Sequence, residues 1–286
     1  MSYQELDLTL TEQHRNLREE IHRFAVEVLR PASIALDKLP PEKVVEKGSL
    51  YWQTMARMFQ NGYHTAYLAP DGEQQGLDAL SLHIMLEELA YGSVGFAVSL
   101  SVSLFCALGA QLMGSQAVKD KFLTPFINCR DAGVMGYCGA TEPEHGSDML
   151  MTGSDCFCNM DITHQVKAMK EGSHWVLNGQ KSAWVSNGPT ASQALLFVNV
   201  DPSLGMAGGG ICLVELDVPG VSRGKPLDKM GQRELPQGEL FFDNVTIPGD
   251  CMIIDPTGYV PVAELVLTQA NMCMGSFFTG DRKSVV

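Results

Sequence analysis

The sequence predicts an α+β architecture. A helical amino-terminal domain covers residues 1–130, a middle β domain covers 131–249, and the start of an incomplete carboxy-terminal helical domain covers 250–286. Three observations carry this reading. Apolar residues recur at helical spacings as far as Arg130. Between Asp131 and Gly249 the helical period fades into short β-rich runs bounded by Gly, Pro, Asn and Asp. After Pro248 the spacing of three and four returns in Val262, Leu265, Val266, Gln269, Met272, Cys273 and Phe277.

The elements follow in order. Thr9-Leu10-Thr11-Glu12 has the spacing of a capping box, and Leu17, Ile21, Phe24, Ala25, Val28 and Leu29 continue at helical intervals until Pro31 stops the helix. Trp52, Met55, Met58 and Phe59 mark a second helix ending near Gly62. Asp78 caps a third over 79–90, with Leu82, Met85, Leu86 and Leu89 inward and Glu87 and Glu88 outward. From Ala90 to Val118 there is no charged residue, a length that could span a bilayer. Its serines and glycines, with no basic cluster on one flank, favour a buried helix pair inside a helical domain and no membrane span. Strands are expected at 134–140, 174–177, 181–186, 194–200, 210–216 and 239–247, with Asn178-Gly179 turning a hairpin between the second and third. The glycines of 204–210 lack the Gly-Lys-Ser/Thr ending of a phosphate loop and read as a flexible connection.

Length and composition limit the function classes. The 286 residues allow about two domains, and 45% hydrophobic with 19% charged residues suits a folded protein with a sizeable core. A net charge of -13 argues against a nucleic-acid partner, whose phosphates demand a surplus of Lys and Arg. The eight cysteines are scattered, only Cys156 and Cys158 are close, and no Cys-x-x-Cys appears. The acidic opening Met1–Asp7 lacks the apolar core of a signal peptide, so reduced thiols and a cytoplasmic location are expected. The seven histidines show no paired ligand spacing, and no metal site is expected. His145 reads as a surface residue of its turn.

Two stretches carry chemistry. Gly136 to Met149 begins as an apolar strand, breaks at Pro143 and enters Gly146-Ser147-Asp148, a tight turn able to offer backbone N–H groups and a hydroxyl to a polar ligand. Trp175 to Gly188 runs Trp-Val-Leu-Asn-Gly-Gln-Lys-Ser-Ala-Trp-Val-Ser-Asn-Gly. A third segment holds Lys229-Met230-Gly231-Gln232-Arg233 and then Leu240–Pro248. In this order the three segments resemble the acyl-CoA dehydrogenase family of flavoproteins, in which a Thr-Glu-Pro-x-x-Gly-Ser-Asp loop and an Asn-Gly-x-Lys…Trp-Ile-Thr-Asn strand wrap a flavin.

The resemblance implies FAD-dependent α,β-dehydrogenation of an acyl-CoA thioester, as in fatty acid metabolism. It also implies an electron-transfer acceptor and a homo-oligomer. Cys138, Ala140 and Thr141 would meet the pyrimidine side of the flavin, with Gly146 in the adjoining turn. Trp184, Val185 and Ser186 would cover it from the other strand, and Ser147 would serve both flavin and substrate. The protein supplies position and electrostatics while the cofactor supplies the electron chemistry.

Departures are as informative. The Tyr137–Thr141 and Lys181–Trp184 spacings each run one residue longer than the family's commonest, and the link from Asp148 to Trp175 is longer still. Leu235-Pro236-Gln237 replaces small hydroxylated residues. Where some members carry a catalytic Glu and an adjoining Arg, this chain has Ala270 and Asn271, and Glu264 lies on another helical face. No catalytic base is assignable. Members without that early Glu carry their base in a further carboxy-terminal domain, which also completes the FAD adenine site and the subunit contacts. The expectation is therefore a truncated member. Its alternatives are a related flavin oxidase or monooxygenase, or a non-catalytic module.

Overall fold

The computed structural model of the protein describes residues 10–68, 77–182 and 184–284, apart from the side chains of Ser147 and Leu150. Thr9 and Ala183 lie outside the described residues. The first helix, α1 (Glu12–Phe24), begins two residues later than the expected box. Thr11 is the cap, its hydroxyl accepting from the His14 N–H while His14 Nδ1 accepts from the Thr11 N–H. Nor does Pro31 stop the helix. A π turn over Ala25–Leu29 leads straight into α2 (Arg30–Leu36), with Pro31 in its first turn. The wider turn is where a residue without an N–H, whose ring crowds the preceding carbonyls, can be accommodated.

Helices α3 (Pro41–Val45), α4 (Leu50–Gln60) and α5 (Ala79–Gly92) follow. Asp78 caps α5 as expected, accepting from the N–H groups of Leu80 and Ser81. Glu88 is not outward: it is buried on α5 and bonded to His22 Nδ1 at 2.8 Å. The uncharged stretch becomes α6 (Val94–Ser103) and α7 (Phe105–Met113), which pack within the protein. The span Val94–Met113 is long and apolar enough to cross a membrane by composition, with 56% of its most apolar window buried. Short helices α8 (Gln116–Val118) and α9 (Thr124–Asn128) flank a second π turn and close the helical layer.

The β domain is one eight-stranded sheet: β1 (Gly136–Gly139), β2 (Lys167–Glu171), β3 (His174–Lys181), β4 (Gln193–Asn199), β5 (Gly209–Glu215), β6 (Val221–Arg223), β7 (Leu240–Pro248) and β8 (Met252–Ile254). Its order is β6-β7-β3-β2-β4-β5-β8, with β1 parallel to β4 at the side. Asn178-Gly179 does not turn a hairpin. The strand runs on through it as a bulge, with the register against β7 shifting between Leu177 and Gly179. Gly179 sits at φ 137°, and a Cβ there would fall 2.8 Å from the Gln165 carbonyl oxygen. Asn178 instead exchanges two side-chain bonds with Asn244 across the strands. The hairpin turn is Gly172-Ser173, joining β3 to a strand the alternation did not reveal, β2, most of which is exposed.

The glycine-rich 202–208 segment is not a loose connection either. It is a 3₁₀ turn with Gly205, Met206 and Gly208 buried. The last element, α10 (Pro256–Lys283), lies back on the helical domain. Phe277 and Gly280 are its buried contacts at that end. A Cβ on Gly280 would meet the Glu87 carbonyl oxygen of α5 at 2.0 Å.

Candidate functional site

The ends of β1 and β3 are fastened side by side. Ser182 N–H donates to the Thr141 carbonyl at 3.0 Å, and Lys181 Nζ donates to the Ala140 carbonyl at 3.1 Å. Beneath them lies a sealed ion pair, Lys181 Nζ to Glu142 Oε1 at 2.7 Å, with neither side chain exposed. Glu142 also accepts from the backbone N–H groups of Gln165 (2.6 Å) and Val166 (2.9 Å), so three donors converge on one carboxylate. Burial pulls the Lys181 ammonium down from its ordinary value and Glu142 opposes the shift. A buried pair so fully bonded is expensive to break from one side, at roughly 3–5 kcal/mol. It holds the two strand ends in register.

Above this clamp the expected residues fall as follows. Burial pushes the Cys138 thiol up to about 12, with Lys181 opposing, so the sulfur is a neutral wall rather than a nucleophile. Ala140 and Thr141 are half-buried, and the Thr141 hydroxyl bonds to no other described residue. Trp184 is 65% exposed, so its ring is not part of the core. Val185 differs from its neighbours: its side chain is buried in the core, leaving only backbone to offer on that side. Ser186 is half-buried and its Oγ accepts from Gln237 Nε2 at 3.3 Å, which leaves its O–H to donate elsewhere.

Two residues that sequence reasoning passed over hold this shelf. Gln237 Nε2 also donates to the Trp184 carbonyl at 3.0 Å, so the residue standing where small hydroxylated ones were expected ties the segment down. Asn187, in the left-handed region at φ 65°, is fully buried. Its Nδ2 donates to the Ser99 carbonyl, Ser103 Oγ and the Gly136 carbonyl, and its Oδ1 accepts from Ser99 Oγ at 2.8 Å. That network pins the shelf to α6. The signal for it was present in Ser186-Asn187-Gly188, since Asn before Gly is a residue pair suited to a left-handed turn.

The Gly146–Asp148 turn is more committed than its composition implied. The Gly146 N–H donates to Asp148 Oδ1 at 2.7 Å, and His145 Nδ1 contacts Asp148 Oδ2 at 2.7 Å. His145 is half-buried and locks the turn. Space above Gly146 is open, with nothing within 4 Å of a Cβ position. Ser147 begins the following 3₁₀ turn, and its side chain lies outside the described set.

A cavity of about 310 Å³ opens between α6–α7 and α10. Val98, Phe105 and Leu112 form one wall, and Leu265, Ala270 and Phe277 the other. Among the described residues its lining includes no carboxylate. Ala270 faces it, as does Gln269, while Asn271 is exposed. Glu264 turns to the far side, where its Oε1 accepts from Thr152 Oγ1 at 2.7 Å. A shelf with an open indole and hydroxyl donors and an apolar slot thus both adjoin α6. An exposed indole face suits a flat aromatic group, and an apolar slot suits an aliphatic chain.

Comparison with known proteins gives concordant results. Family models described as "Acyl-CoA dehydrogenase, N-terminal domain" and "Acyl-CoA dehydrogenase, middle domain" match residues 11–130 and 138–245. The short-chain specific acyl-CoA dehydrogenase, mitochondrial, of Rattus norvegicus is 31% identical over 262 residues, covering 89% of this chain and 56% of that protein. Glutaryl-CoA dehydrogenase of Desulfococcus multivorans is 28% identical over 255 residues, covering 88% of this chain and 59% of its own length. Among solved structures, butyryl-CoA dehydrogenase from Megasphaera elsdenii superposes with a TM-score of 0.77 at 26% identity, over 98% of this chain and 67% of that one. The chain thus spans little more than half the length of the curated relatives it matches.

Proposed function

Because the chain belongs to the acyl-CoA dehydrogenase family, we propose that it carries the flavin shelf and the acyl cavity for FAD-dependent α,β-dehydrogenation of an acyl-CoA thioester. The observation that supports this most is the exposed Trp184 ring on a segment bonded to the Thr141 strand end, with the Thr141 and Ser186 hydroxyls able to donate and the strand ends locked by Glu142 and Lys181. These residues fit FAD. Trp184 offers a face for stacking, and Thr141 and Ser186 can donate to polar ring edges. The open space over Gly146 admits a ligand to the turn that also holds Ser147. Bound FAD supplies the hydride acceptor for the β-hydrogen.

This chain's own residues position, exclude water and orient. The apolar walls of α6–α7 and α10 desolvate an acyl chain, and the neutral Cys138 wall adds no competing charge near the shelf. Removal of the α-proton needs a base within hydrogen-bond reach. Ala270 and Gln269 at the cavity wall cannot serve, and Glu264 is held away by Thr152. We therefore place the base outside the described cavity lining. Electron transfer to an external acceptor, a homo-oligomeric state and a cytoplasmic setting complete the reading.

Purified protein loaded with FAD and mixed anaerobically with an acyl-CoA should show no bleaching of the flavin absorbance, whereas Ala270→Glu should bleach at a measurable rate. Bleaching by the unaltered chain at rates equal to the variant would defeat the assignment of the base. A related flavin oxidase remains the second reading, favoured by Asn271 where an Arg would meet CoA. Peroxide release exceeding reduction of an artificial electron acceptor would select it.

A further inference from the structure

The acyl cavity has a mouth and an end, and the two are made differently. Leu112 and Leu265, 64% and 53% exposed, mark the mouth, where α7 and α10 splay to solvent. Toward the other end Phe277 is 3% exposed, and the half-buried Tyr67 lines the space beside it. The Tyr67 hydroxyl lies 3.1 Å from Cys273 Sγ, so a side chain from the loop after α4 is tethered to α10 across the slot.

Behind Tyr67 lies a second void. It is lined by Tyr63, His64 and Met85, among others, and shares Tyr67, Ser101 and Leu104 with the acyl cavity. It is too narrow for a water molecule. Met85, Leu100 and Leu104 give it apolar walls, and His64 is 1% exposed with its ring stacked on Phe59. The Tyr67 ring therefore lines both spaces and stands between the apolar slot and this narrower void.

We propose that Tyr67, tethered by Cys273, is the end-stop that sets the length of acyl chain this protein accepts. The inference rests on the acyl-binding reading above. A cavity of ~150 Å³ holds one benzene, so the 310 Å³ here takes no more than roughly a dozen carbons. The substrate class is accordingly a medium-length saturated acyl group without polar substituents. Chains beyond that length meet the phenol ring, and a charged or hydroxylated chain end would find few partners in so apolar a lining. Removing the ring joins the two spaces, and the limit then moves outward.

The test is calorimetric titration of the FAD-loaded protein with non-reactive S-alkyl-CoA thioethers of even length from four to sixteen carbons. The unaltered protein should bind up to about twelve carbons and lose at least tenfold in affinity by sixteen. Tyr67→Ala and Tyr67→Leu should recover at least tenfold for sixteen carbons, with little change at eight. Tyr67→Phe, which keeps the ring and drops the hydroxyl, should keep the limit. A parallel series of free fatty acids separates the two levels. If thioethers fail to bind but fatty acids show the same limit and the same shift, the end-stop holds and the CoA reading falls. An unaltered limit in both Tyr67→Ala and Tyr67→Leu, or equal binding of eight and sixteen carbons by the unaltered protein, overturns the end-stop. Binding of neither series overturns both. Thermal melts of each variant, compared with the unaltered protein, tell a lost fold from a lost limit, and Tyr67→Leu decides if Tyr67→Ala unfolds.

Discussion

Lys181 and Glu142 occupy the dry centre of the β domain, where a lysine facing inward on a strand looks from sequence alone like an error of pattern. Its partner lies 39 residues earlier in the Thr-Glu-Pro turn, a separation that no local spacing rule exposes. The motif was legible while the pairing was not, because the pairing depends on β1 and β3 ending beside one another. His64 teaches the same lesson with a measurable consequence. Its neutral ring is stacked on Phe59 at 4.2 Å and edge-on to Phe126 at 5.3 Å. Burial first, and Arg130 second, pull its pKa from 6.5 to about 4. Between those values the unfolded chain binds a proton that the folded chain does not, so stability falls as pH falls through 6.5 and levels off below about 4. At 1.36 kcal/mol per unit the loss is roughly 3 kcal/mol. Urea melts from pH 7.5 to 4 should show the unaltered protein losing about that much more than His64→Phe. Parallel curves for the two proteins would refute the assignment.

At the scale of elements, the helices were readable wherever one apolar face met the core, as in α4, α5 and α10. The misreadings occurred where a local rule met a tertiary option. Pro31 is a strong breaker, yet a π turn carries the chain past it. Asn178-Gly179 is a strong hairpin signal, yet β7 offers Asn244 as a partner and the strand continues as a bulge. Glu88 looked outward from an isolated α5, but α1 brings His22 to it, and Lys283 of α10 lies 3.7 Å away. The fastening of α10 is itself testable. Gly280 lets α10 approach the Glu87 carbonyl of α5, and Lys283 pairs with the Glu87 carboxylate alongside. Gly280→Ala should force the helices apart and cost about 1–3 kcal/mol despite its better helix propensity. Limited proteolysis should then cut within α10. A variant as stable and as resistant as the unaltered protein would show that the close approach carries no weight.

On the scale of the whole molecule, the order of motifs along the chain revealed the family and the three-part layout, and the comparisons agree with both. Composition could not show how the parts meet. Asn187 links the shelf to α6, Gln237 crosses from the third motif to the second, and Tyr67 reaches α10 from the loop after α4. Each contact joins segments more than 50 residues apart, so each is a product of topology rather than of spacing. Shelf and slot thereby share α6. The central claim is that this shelf holds a flavin through Trp184. It is tested most directly by titrating FAD into the apoprotein and following quenching of flavin fluorescence. The account predicts saturable binding at one FAD per chain, weakened at least tenfold, or about 1.4 kcal/mol, in Trp184→Ala. Absence of saturable quenching, or equal affinity in Trp184→Ala, would contradict it.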